Sequence, residues 1–189
     1  MMDADLFRSE RVRLAAPNAE SDAEMFARWS QDAEYLRLLD SEAARPRSAQ
    51  QAKEMFKEHM EPEEPRPDAF NFVIRTLADD RLIGFVGLDG VRWTHGDAFL
   101  GIGIGEREYW DKGYGTDALR LLLRYAFTEL NLHRVSLTVF DYNQRAIRAY
   151  EKAGFVVEGR MRQVLHRDGR RYDLLFMGLL REEWEKWRT

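Results

Sequence analysis

The chain of 189 residues contains no cysteine. That excludes disulfides, thiol nucleophiles and cysteine-based zinc sites, and it fits a cytoplasmic protein. Histidine is scarce: His59, His95, His133 and His166 include no i, i+4 pair of the kind that holds zinc on a helix, so no metal is expected. No apolar run approaches the roughly 20 residues of a membrane helix, and the opening MMDADLFRSERVRL lacks the basic-then-apolar order of a secretion signal. No membrane partner is expected. Neither sign of charge dominates. With 29 Lys and Arg against 33 Asp and Glu, the net charge of −4 argues against nucleic acid. Repeats and linkers are also missing, so residues 1–189 are expected to form one domain, with 44% hydrophobic residues to build its core.

What the chain does carry is concentrated in residues 100–130, LGIGIGEREYWDKGYGTDALRLLLRYAFTEL. Leu119, Leu122, Leu123, Ala126, Phe127 and Leu130 recur at the spacing of one buried helix face. Just before them, Lys112-Gly113-Tyr114-Gly115-Thr116 makes a glycine turn. Its glycines permit close backbone approach, and a helix start offers free N–H groups and a positive dipole end to phosphate oxygens. Lys112 adds a full charge. A plain turn that starts a helix is the competing reading of so short a motif. Gly113-x-Gly115-x-x-Ala118 also fits a dinucleotide fingerprint. That motif, however, should follow a strand end directly inside a parallel βαβ unit, and here residues 106–112 intervene after an antiparallel meander. Upstream, Gly101, Gly103 and Gly105 alternate within a strand, which points to a bulge or to close approach by a ligand.

In chain order, residues 11–16 read as a first strand. Ser21 with Glu24 resembles a capping box, predicting a helix over 23–30, and Ser48 with Gln51 predicts a second helix ending near Met60. Three of the five prolines fall in EPEEPRP, residues 61–67, which must be an exposed loop. Phe70, Phe72 and Ile74 begin a strand. Short turns at 78–80 and 94–97 lead to strands over 82–91 and 98–105, so all three should pair antiparallel. The helix after the glycine turn is a crossover, which makes the strand at 134–140 parallel to its predecessor. Asn143 caps a helix to Ala153, Gly154 ends it, and strands over 155–166 and 171–180 form a hairpin around Asp168-Gly169. Trp184 and Trp187 either pack a terminal helix or make a homodimer contact. The fold class is mixed α+β, a mostly antiparallel sheet flanked by helices.

A second constellation is Asn143-x6-Tyr150-Glu151-Lys152-Ala153-Gly154-Phe155, in which Ala146 and Tyr150 share one helix face. Together with the glycine turn it resembles the GNAT acetyltransferase superfamily. EYWDKGYGTDA is similar to the pyrophosphate turn of the branch that holds ribosomal-protein-alanine and spermidine acetyltransferases, and NQRAIRAYEKAGF to that branch's helix along the pantetheine. The resemblance implies a sheet splayed at a bulge between two parallel strands, with CoA in the V. It implies that Gly103, Ile104 and Gly105 lie on the strand that hydrogen-bonds the pantetheine. It puts Lys112, Gly113, Tyr114, Gly115 and Thr116 around the pyrophosphate, Asn143, Ala146 and Lys152 beside the cofactor, and Tyr150 as the acid that protonates the departing thiolate. Three positions depart from the pattern. Trp110 replaces the usual Gln or Arg, Asp111 the usual Gly, and Ala146 the Ser common in the ribosomal branch. Ala146 with Tyr150 is the spermidine-type arrangement.

The activity implied is direct transfer of an acetyl group from acetyl-CoA, as cosubstrate, to a primary amine in a ternary complex. A CoA-binding sensor or interaction domain of the same fold is the alternative. A protonated amine must lose a proton before attack, and Glu106 or a carboxylate of the first helices acting through water are candidates for the base. A backbone N–H of the splayed strand could hold the oxyanion. For the acceptor, Asp32, Glu34, Asp40 and Glu42 between the first helices would suit a polyamine. The basic hairpin over 160–171 would suit a protein N-terminus, and a small amino compound is third.

Overall fold

The computed structural model describes residues 5–187. Seven strands make one sheet in the order β1-β2-β3-β4-β5-β7-β6: β1 (Val12–Ala15), β2 (Phe70–Thr76), β3 (Leu82–Arg92), β4 (Asp97–Ile104), β5 (Arg134–Phe140), β6 (Val156–Arg167) and β7 (Arg170–Leu180). Every neighbouring pair is antiparallel except β4 and β5. Those two are joined by the crossover helix α4 (Tyr114–Arg124), whose last turn opens into a π-helical segment, Tyr125–Glu129. The helix buries Leu119, Leu122, Leu123, Ala126 and Phe127 against the sheet, while Leu130 is partly buried.

Alternation along the strands divides the core between the two faces of the sheet. Ile74 and Ile83 join α4, α5 (Gln144–Lys152) and Trp184 of α6 (Arg181–Trp187) on one face. Val73 and Leu82 join α1 (Ala19–Trp29), α2 (Ala33–Leu39) and α3 (Ala49–Met60) on the other. Trp184 packs on Phe127 with ring centroids 5.2 Å apart; the side chain of Trp187 lies outside the described residues.

Three local expectations change. α1 starts at Ala19, capped by Asn18, whose side chain accepts from the N–H groups of Glu20 and Ser21. The hydroxyl of Ser21 bonds Asp22 at 3.1 Å, so no Ser21–Glu24 box forms. The stretch expected to join two helices is itself a helix, α2, capped by Asp32. The box at Ser48 and Gln51 is present. At the β6–β7 turn, Asp168 (φ 48°) and Gly169 (φ 72°) are both left-handed, as a two-residue hairpin turn requires.

Candidate active site

β4 and β5 pair only from Asp97–Phe99 to Arg134–Ser136, and then they part. The register of β4 on β3 is unbroken from Gly84↔Ile104 to Asp89↔Phe99, and the irregularity comes just beyond it, where the N–H groups of Gly105 and Glu106 both donate to Ile83 O, at 2.9 and 3.4 Å. Between the separated ends lies a cleft of about 460 Å³. The Gly105 N–H donates to Ile83 O at 2.9 Å. Alternation then directs the backbone groups of Gly103 to β3 as well, and those of Ile102 and Ile104 into the gap. The Ile104 carbonyl is already occupied by the Trp110 indole N–H at 2.7 Å. Gly103 and Gly105 are needed for packing: a Cβ at Gly103 would lie 2.7 Å from the Phe85 ring, and one at Gly105 would collide with Trp29.

One end of the cleft is closed by the glycine turn. Gly113, at φ 87°, is the N-cap of α4 and offers no side chain to its first turn, so the N–H groups of Tyr114, Gly115 and Thr116 precede the first i−4 bond, Asp117 N–H to Gly113 O. A Cβ built on Gly115 meets only Ile104, at 3.6 Å. Asp111 (φ 57°) also takes the left-handed conformation that glycine prefers. Gly103, Ile104, Gly113, Gly115, Thr116, Asn143, Ala146, Tyr150 and Lys152 all line the cleft; Gly105, Lys112 and Tyr114 do not. Lys112 is exposed. Tyr114 packs its ring on Tyr109 under the Arg11 guanidinium.

α5 forms the adjoining wall. Asn143 is engaged through both ends of its amide: its oxygen caps the helix by accepting from Ala146 N–H at 3.2 Å, and its nitrogen donates to Leu38 O at 3.3 Å. Tyr150 is buried, and its hydroxyl makes no hydrogen bond to any described residue; desolvation pushes its pKa up to about 12. Arg145, Arg148 and Lys152 line the same wall. The Arg145 guanidinium stacks 3.5 Å from the centre of the Trp110 ring, with Arg107 5.1 Å from it.

α2 walls the cleft beside the start of α5, where the Asn143 amide reaches Leu38 O, and is fixed at both of its termini. At its start, Arg107 pairs with Asp32 (2.5 Å) and Glu34 (2.8 Å). At its end, Tyr142 donates to Arg37 O, Arg37 pairs with Asp168 at 2.6 Å, and Arg167 donates to the carbonyls of Asp40, Ser41 and Glu42 at 2.8–3.0 Å. Tyr35, Leu38 and Leu39 of α2 face the cleft.

A family model described as the acetyltransferase (GNAT) domain matches residues 11–156. The chain belongs to the GNAT acetyltransferases. It is an acetyl-CoA-dependent N-acetyltransferase. The SPbeta prophage-derived uncharacterized N-acetyltransferase YokL of Bacillus subtilis (strain 168) is 33% identical to it over 156 residues, 82% of this chain and 84% of the relative. The spermidine N(1)-acetyltransferase of Vibrio cholerae is 31% identical over 137 residues, 72% and 76% of the two. The crystal structure of spermidine N-acetyltransferase from Vibrio cholerae in complex with CoA and spermine superposes with a TM-score of 0.79 at 26% identity, covering 92% of this chain and 98% of that one.

In this acetyltransferase Glu106 is held away from base chemistry. It is buried, accepts from Trp29 Nε1 at 2.7 Å and Arg81 at 2.9 Å, and pairs with Arg28. Burial alone would raise its pKa, but those hydrogen bonds and the charges of Arg28 and Arg81 outweigh it and hold the carboxyl below its usual value. Nor does Glu106 line the cleft. Sequence reasoning missed Arg145, Arg148 and Tyr35. The first two, with Lys152, carried a readable signal, since the spacing i, i+3, i+7 puts three cations on one helix face. Tyr35 carried none.

Proposed function

We propose that acetyl-CoA lies along the parted edge of β4, with its pyrophosphate on Gly113, Gly115 and Thr116, and that Tyr150 assists transfer of the acetyl group to a primary amine entering past α2. The open N–H groups of the turn, the space over Gly115 and the cations Arg145, Arg148 and Lys152 fit an anionic cofactor. Asn143 and Ala146 supply the wall beside it. Tyr150 carries the reading: a buried residue whose hydroxyl has no hydrogen-bond partner among the described residues and which lines a cleft that already holds a phosphate-type turn.

In the transfer, the amine lone pair attacks the thioester carbon, and the oxygen that becomes anionic is met by a β4 N–H, from Ile102 or Ile104, directed into the gap. The carbon–sulfur bond then breaks, and the Tyr150 hydroxyl gives its proton to sulfur and regains one from solvent. The surplus proton of the new amide nitrogen leaves to water. Among the described residues Asp111 at the turn is the one carboxylate of the cleft wall, so the amine loses its proton to solvent before it attacks. The test is calorimetric titration with CoA followed by thiol release from acetyl-CoA with a panel of amines. Saturable binding and release above hydrolysis are expected. No heat at millimolar CoA would remove the cofactor site, and binding without release would leave a sensor.

A further inference from the structure

The acceptor end of the cleft has a composition that specifies its substrate. It is walled by Tyr35, Leu38, Leu39, Phe85, Phe140 and Leu174, and no carboxylate is among them. The four acids that could have served a polycation are directed elsewhere. Asp32 caps α2 and, like Glu34, pairs with Arg107. Asp40 turns its oxygen onto the N–H of Glu42 at 3.0 Å, and neither Asp40 nor Glu42 reaches the cleft wall. The charged residues that do line the cleft, Asp111, Arg145, Arg148 and Lys152, lie on the turn and α5. The acceptor end therefore offers apolar surface, the Asn143 amide already spent on Leu38 O, and one unpaired polar group, the hydroxyl of the buried Tyr35. That hydroxyl makes no hydrogen bond to any described residue and lies 3.0 Å from where a Cβ of Gly103 would stand.

We infer that the acceptor is a monoamine carried on an apolar body, alkyl or aryl, and that Tyr35 positions it by accepting a hydrogen bond from its N–H; this rests on the acetyl-transfer reading above. Accepting one N–H leaves the lone pair of a neutral amine free to attack. A second ammonium, as in a polyamine, would lie against this apolar wall with no counter-charge, which disfavours it. The apolar wall also favours the neutral amine by desolvation, which compensates for the missing base.

The experiment compares 2-phenylethylamine and hexylamine with spermidine in the thiol-release assay at moderate salt, with CoA titration alongside. The monoamines are expected to exceed spermidine at least tenfold in kcat/KM. Tyr35→Phe should raise KM for 2-phenylethylamine severalfold with little change in kcat. Leu39→Asp, at a partly exposed wall position, should shift the preference toward spermidine. Equal or better use of spermidine by the unaltered enzyme overturns the inference while the acetyl-transfer reading stands. An unchanged KM in Tyr35→Phe overturns the role of that residue. Release with no amine overturns the inference too; if CoA then also fails to bind, the cofactor site falls with it.

Discussion

At the α5 end of the cleft, Arg145, Arg148 and Lys152 form no ion pair with any described residue, whereas at the α2 end Asp32, Glu34, Arg37 and Arg167 are all tied to protein partners. Both ends are rich in charge, and only one has charge to give a ligand. The difference arises from what each helix packs against. α5 borders a gap where β4 and β5 have separated, so its cations line the cleft without a carboxylate partner, Arg145 stacked on the Trp110 ring. α2 bridges the same gap, and its charged ends meet the loops that follow β4 and β5 and the tip of the β6–β7 hairpin. Counting charges along the chain would assign polyanion and polycation sites to the two ends. The contacts leave unpaired cations along α5 and apolar side chains along α2.

The sharpest way to break this contrast is Gly115→Glu. The side chain would project where only Ile104 lies nearby, so the fold should survive. Replacing a helical glycine and placing an acid in the first turn should even stabilise by about 0.5–1 kcal/mol. CoA binding should be lost, as read by titration against a melting curve no lower than that of the unaltered protein. Tyr150→Phe comes next and should lower kcat by about 10²–10⁴-fold with little change in CoA affinity. With Tyr150 held up to about 12, it stays protonated throughout the assay range, and no histidine is among the described residues lining the cleft. The rate should therefore climb about tenfold per pH unit and level off at the pKa of whichever amine is supplied. Two amines of different basicity would check this; a common inflection for both would point to a protein base. The smallest effect is expected from Arg107→Gln, which frees Asp32 and Glu34. Spermidine KM should fall severalfold at low salt, and the gain should vanish at high salt because exposed pairs are screened.

Much of the framework was legible. The spacing of Leu119 to Phe127 marked a crossover helix, which made β5 parallel to β4, and Asp168-Gly169 marked the hairpin turn. What escaped was decided by long-range contacts or by alternation. α2 has only seven residues, too few for periodicity to declare it, and its Asp32 cap was open to being read as a ligand. Gly103, Ile104 and Gly105 were expected to serve the cofactor together; a strand turns successive backbone groups to opposite neighbours, so only Ile104 of the three turns its N–H and C=O into the gap, though Gly103 also lines the cleft. Lys112 and Tyr114 sit in the expected turn while their side chains lie off the cleft wall. The partners of Glu106, Arg28 and Arg81, stand 78 and 25 residues away in the chain, and no local pattern reports such an arrangement.

The fastening of α2 at both ends has a mechanical consequence. Arg107 follows β4, whereas Tyr142 and Asn143 follow β5. The helix is thus a cross-brace spanning the fork, and prying the two strands apart would break ties at both of its ends at once. On the placement proposed above, the brace predicts that ligands thread in and out along a fork of constant aperture, the cofactor from the glycine turn and the amine past α2. Amide exchange over residues 33–39 should accordingly be as slow with the cleft empty as with CoA bound.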